Sequence, residues 1–180
     1  MKKLSIICMT ILTVAFMASC RGPQGPEGPA GNDGNANVVS STLTIKDTDW
    51  EWINFFTDED GNERGQYTVT IDYPAINNNV YNHGAVLVYM SVDGTWSQVP
   101  LTYYYYVSGA IVNFYAASIE VATLSDGGVR LFWTESDMWK VTPDTHQFKI
   151  VAIEASVYSH RSDVDYSNYE AVKTAFQLAD

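Results

Sequence analysis

From Val39 the chain alternates between apolar and polar positions. Val39, Ser41, Leu43 and Ile45 fall on one side, and Ser40, Thr42, Thr44 and Lys46 on the other, the period of a strand with one buried face. Tyr67, Val69, Ile71 and Tyr73 repeat the pattern against Thr68, Thr70 and Asp72. The threonine-rich polar sides predict antiparallel sheets wetted on one face. Between the two runs, Asp58-Glu59-Asp60-Gly61-Asn62-Glu63 is turn chemistry. Later glycine-bearing pairs, Asp93-Gly94, Ser108-Gly109 and Asp126-Gly127, predict hairpins on short loops. Around them, strands are expected at 85–92, 95–99, 102–107, 110–115, 118–124, 129–134 and 147–155. Roughly ten short strands with closely spaced turns make an all-β chain, an antiparallel β-sandwich of jelly-roll or immunoglobulin-like type, which the pattern does not separate. The period then changes near the end. Ser167 and Glu170 read as a capping box, and Tyr169, Val172 and Phe176 share one helical face, so a short C-terminal helix should close an end or an edge of the sandwich.

The first twenty residues follow neither period. Lys2 and Lys3 precede an apolar run from Leu4 to Phe16, too short for a permanent membrane span, and Met17-Ala18-Ser19-Cys20 follows. This three-part pattern resembles a bacterial lipoprotein signal. The resemblance implies cleavage before Cys20 and acylation of its thiol and new amino group, so that residues 1–19 are a signal peptide. Each buried methylene is worth about 0.8 kcal/mol, so two or more acyl chains hold a protein stably on a bilayer. Next come Gly22-Pro23-Gln24, Gly25-Pro26-Glu27, Gly28-Pro29-Ala30, Gly31-Asn32-Asp33 and Gly34-Asn35-Ala36, Gly-X-Y triplets in unbroken register, the spacing a collagen triple helix requires at its crowded axis. Residues 20–36 are thus a linker, an extended spacer reaching about 45 Å in polyproline II geometry or a stalk through which a homotrimer assembles. Residues 37–180 are the β-sandwich domain.

Together the lipidation signal and the triplets make the chain resemble the short collagen-like lipoproteins of Gram-negative bacteria, with one β-rich domain of unknown function after the stalk. Asn82-His83-Gly84-Ala85-Val86-Leu87-Val88-Tyr89, Val99-Pro100 and Val151-Ala152-Ile153-Glu154 are similar to the domain of those proteins. The resemblance implies a cell-envelope location, lipid-anchored at the outer membrane, and leaves the face open because Arg21 and Gly22, not an acidic cluster, follow the cysteine.

Cysteine use agrees with this picture. The two cysteines are Cys8, inside the signal, and Cys20, so the exported domain has no disulfide and rests on burial. Two of the 10 basic residues leave with the signal, and the remaining 8 face 21 acidic ones, a net charge of −13. Such a surface repels phosphate backbones and argues against a nucleic-acid partner.

Candidate chemistry is sparse. A two-residue loop at Ser108-Gly109 would oppose Tyr106 to Ile111, Tyr104 to Asn113 and Thr102 to Tyr115. Tyr104, Tyr106 and Tyr115 would then surround Asn113 as an aromatic platform with polar tips, suited to stacking sugar rings. Trp139, in a loop-like segment, is the tryptophan expected to be exposed, and Trp133 the one expected in the core. An EF-hand starting at Asp58 would need glycine and glutamate where Glu63 and Val69 stand, so no metal site is expected there. His83, His146 and His160 are scattered, and no cofactor is implied. A glycosidase-type carboxylate pair would have to be assembled from residues such as Glu120, Glu135 or Glu154. The expected role is non-catalytic display, structural or adhesive, toward a glycan or a cell-envelope protein. A carbohydrate-binding module is the second reading and a glycoside hydrolase the third.

Overall fold

The computed structural model describes residues 37–107 and 113–178, without the side chains of residues 105–107 and 113–115. Cys20, the Gly-X-Y run and the Ser108-Gly109 loop lie outside the described residues. Among the described residues nine antiparallel strands form two sheets. β1 (Val38–Ile45), β9 (His146–Ile153), β4 (Ala85–Val92) and β5 (Thr95–Gln98) make the four-stranded sheet in that spatial order. β2 (Glu51–Thr57), β3 (Glu63–Asp72), β8 (Gly128–Glu135), β7 (Asn113–Leu124) and β6 (Leu101–Val107) make the five-stranded one. The consecutive strands β6, β7 and β8 lie side by side, and β8 closes beside the earlier β3, whose long connection to β6 runs through the other sheet, a Greek-key arrangement. The architecture is the all-β sandwich with a terminal helix that the alternation predicted.

Between the sheets lies the main core, which includes Val88, Met90, Phe148 and Ile150 from one sheet and Ile119, Val129, Leu131 and Trp133 from the other. Trp133 is buried, as its apolar neighbours foretold. The edge-to-face rings of Trp50, Trp133 and Phe148 knit this layer.

A second core lies on the opposite face of the four-stranded sheet. Leu87, Tyr89, Val151 and Ile153 alternate with the inner residues of β4 and β9 and are themselves buried, against Tyr169, Val172, Phe176 and Leu178. The last helix, which we call α3 (Tyr169–Phe176), therefore covers a sheet face, not an end or an edge. This corrects the expectation of a face wetted in both sheets. The signal was present: Leu87–Met90 and Phe148–Ile153 are continuous apolar or long-chain runs rather than alternating ones, the mark of a strand buried on both sides. The helix begins one residue later than the capping box suggested. Asn168 is the N-cap and accepts from the Glu170 and Ala171 amides, while the Ser167 hydroxyl donates to Asp165 at 2.6 Å.

Two shorter helices, α1 (Asn78–His83) and α2 (Ala155–Tyr158), occupy connections. Neither showed an apolar period long enough to be read from sequence. Among the described residues no helix is long and apolar enough to cross a membrane.

Candidate functional site

Among the described residues no helix corresponding to α3 packs on the outer face of the five-stranded sheet. Inward residues are fixed by the core: Tyr67, Leu131, Trp133, Ala117 and Ile119. The residues between them in sequence must then point outward. Cross-strand register aligns these into rows. One row runs Ile53, Gln66, Thr134, Ser118 and Thr102, with the Thr134 hydroxyl 3.2 Å from Gln66 Oε1. At the β6 end, Thr102, Ser118 and Glu120 help line a shallow depression of about 250 Å³.

The next row is aromatic. β2, absent from the sequence reading, is an edge strand paired with β3, and a bulge between Asn54 and Phe56 puts Phe56 opposite Arg64. On the other side of Arg64 stands Trp139. The chain leaving β8 swings out at residues 136–138, with Met138 at a φ of 57°, and returns so that Trp139 pairs beside Arg64. Four contacts pin this segment: Gly65 N–H donates to Met138 O at 3.0 Å, Trp139 N–H to Asp137 Oδ1 at 3.1 Å, the Tyr67 and Thr142 hydroxyls lie 2.9 Å apart, and Lys140 meets Glu63 at 2.7 Å.

Arg64 is the centre of the row. Its Cζ lies 4.1 Å from the centroid of the Trp139 ring. Its Nε and Nη2 donate to Asp58 Oδ2 at 3.0 and 2.7 Å, and Nη1 donates to Asp137 O at 3.2 Å. Asp58 in turn accepts the Asp60 and Asn62 amides that close the β2–β3 turn. The Asn62 amide foremost, and then Arg64, hold the Asp58 carboxyl below its usual range. The turn chemistry read from the sequence is therefore also the clamp on Arg64, and Arg64 is what braces Trp139. Among the described residues no group of histidine, cysteine, aspartate and glutamate side chains is placed to hold a metal ion.

The predicted platform is not assembled as expected. β6 and β7 pair Val107 with Asn113, Tyr106 with Phe114, Tyr105 with Tyr115 and Tyr104 with Ala116. Five residues, not two, separate the first pair, and the register is displaced by three from the one a two-residue loop would impose. An odd displacement exchanges the faces of one strand relative to the other. Tyr104 and Tyr106 keep one parity, while Asn113 and Tyr115 fall at the positions opposite Val107 and Tyr105. The register is set by the long β7–β8 pairing, which puts Ala117 and Ile119 in the core, and not by the loop. Tyr104 is 73% exposed and Trp139 43% exposed. Of Tyr106, Asn113 and Tyr115 only the backbone pairing is described. Phe56, 49% exposed, was missed with β2, and Arg64, at the start of β3, was missed as well. The signal for Phe56 was the alternation of Trp50 and Trp52 running toward a turn at Asp58, interrupted by the bulge at Phe55.

The three carboxylates named for hydrolysis are not brought together. Glu135 is buried facing the core and accepts the Trp133 indole N–H at 2.8 Å. Glu120 is on the outer face of β7, and Glu154 follows β9 in the other sheet.

No protein-family model matches the chain, and no curated protein or solved structure matches it.

Proposed function

We propose that this chain is an exported lipoprotein, acylated at Cys20, that holds a non-catalytic β-sandwich at the outer membrane and works by binding through the uncovered face of its five-stranded sheet. The observation that carries the binding half is the unequal treatment of the two sheets. One has its outer face sealed by α3 and a second core. The other presents Phe56, Trp139 and Tyr104 to solvent on a braced framework. Exposed aromatics held in place are a recurring feature of recognition surfaces, because a rigid ring loses little entropy on contact. What supports the address is the basic, apolar and Ser19-Cys20 order at the N-terminus, with a Gly-X-Y spacer to lift the domain from the lipid.

Labelled palmitate should enter the full-length protein in cells and be lost in Cys20→Ser, which should also leave the membrane fraction. Label persisting in the variant would remove the anchor from the account. A homotrimer through the stalk would be seen as a threefold mass of the full chain that disappears when residues 21–36 are replaced by a Gly-Ser segment of equal length.

A further inference from the structure

We propose that the ligand of the bare sheet is an uncharged polysaccharide chain lying across the strands, stacked on Trp139 and Tyr104 and hydrogen-bonded by the row of Thr102, Ser118 and Thr134. The inference rests on the binding role assigned above and names its chemistry. Three observations point the same way. First, the exposed rings are separated, not merged into one apolar patch. Trp139 beside β3 and Tyr104 on β6 lie about two strand spacings apart, roughly 10 Å. Separate rings suit a chain of rigid rings better than a continuous apolar partner surface.

Second, the row beside them, Thr102, Ser118 and Thr134, carries hydroxyls, which both donate and accept. Sugar hydroxyls do the same, so either orientation of each group can be satisfied.

Third, the charges select against ions. The positive charge of Arg64 is taken up by Asp58; Arg130, the second arginine on this face, donates to the Thr70 hydroxyl and shares the face with Glu51 and Glu120, and the exported chain is strongly acidic. An anionic polymer would be repelled. A basic protein would be attracted, but its binding would weaken as salt screens the field. Arg64 acts here as a positioning residue: it braces one side of the Trp139 ring and leaves the indole oriented.

The test is affinity electrophoresis of the full-length protein in detergent, through gels containing dextran, mannan, xylan or a β-1,3-glucan, with polygalacturonate as the anionic comparison. At least one neutral polymer should retard the protein, unchanged by added salt, and polygalacturonate should not. Trp139→Ala and Tyr104→Ala should each weaken the retardation by about tenfold, the factor that roughly 1.4 kcal/mol of lost stacking produces. Tyr158→Ala, an exposed aromatic on α2, should leave it intact. Arg64→Lys should weaken binding while Trp139 becomes more accessible to iodide quenching, a readout a merely structural residue elsewhere would not move.

Retardation by none of the neutral polymers, or retardation indifferent to both aromatic variants, overturns the proposal. If instead the protein captures an envelope protein in a salt-sensitive manner that Trp139→Ala abolishes, the polysaccharide is refuted while the face remains a binding surface.

Discussion

Replacing Phe176 by alanine tests whether the terminal helix is structural cover. Phe176 is 3% exposed, on the last turn of α3, where it stacks 6.4 Å from Tyr166 and lies under the Arg161 guanidinium. An eight-residue helix is too short to persist alone, so its position depends on Tyr169, Val172 and Phe176. Truncating a buried phenylalanine costs about 3–5 kcal/mol from lost transfer energy and the cavity left behind. Losing one of three anchors should take stability down by about 3 kcal/mol. Phe56, on the bare face, is the matched comparison. Its alanine variant removes a half-exposed ring and should cost well under about 1 kcal/mol. Both can be read from urea denaturation of the full chain followed by circular dichroism. Equal costs for the two variants, or a loss below about 1 kcal/mol for Phe176→Ala, would refute the assignment of one closed and one open face.

Three further outcomes follow from individual contacts. Lys149 is 3% exposed, with its ammonium 2.7 Å from the Tyr169 hydroxyl and over the rings of Trp96 and Tyr169. Desolvating that charge costs several kcal/mol and these contacts offset a similar amount, so Lys149→Met should change the urea midpoint little and Lys149→Ala should lower stability by about 2 kcal/mol or more. A Cβ at Gly65 would run into the Ile53 carbonyl. Gly65→Ala should therefore cost about 1–3 kcal/mol by forcing β2 away from β3, measured as the same midpoint shift. His146 is stacked 5.0 Å from Trp133, and burial pushes its pKa down, opposed by Asp144. The unfolded state then takes up this proton first, so stability should begin to fall as the pH drops below about 6.5 and be unaffected by this group above it. His146→Gln should flatten that part of the profile, and an unchanged slope would contradict the assignment.

The sandwich was legible in the sequence because alternation reports burial directly. β1 and β3 carried it openly, and Asp93-Gly94 and Asp126-Gly127 announced their hairpins. β2 was not, since its period breaks at the Phe55 bulge. The destination of α3 was read only as far as its apolar stripe. What that stripe covers was written in β4 and β9, as runs without alternation, and became visible only when the two were paired. The candidate site was legible in part. Trp139 and Tyr104 are exposed as expected. Their partners changed, because a single turn assignment at Ser108-Gly109 fixed the register of a strand whose real constraint was its long pairing with β8. Arg64 had no local signal. Its role depends on Asp58 six residues earlier and Trp139 far along the chain.

The claim that the five-stranded sheet is the working surface is tested most directly by hydroxyl-radical footprinting of the full-length protein, alone and with the neutral polysaccharide that retards it. Tyr104, Trp139 and Phe56 should be oxidised quickly in the free protein and Tyr89, Tyr169 and Phe176 slowly, and the polysaccharide should protect Tyr104 and Trp139 selectively. Fast oxidation of the residues beneath α3, or protection confined to any other face, would contradict the account.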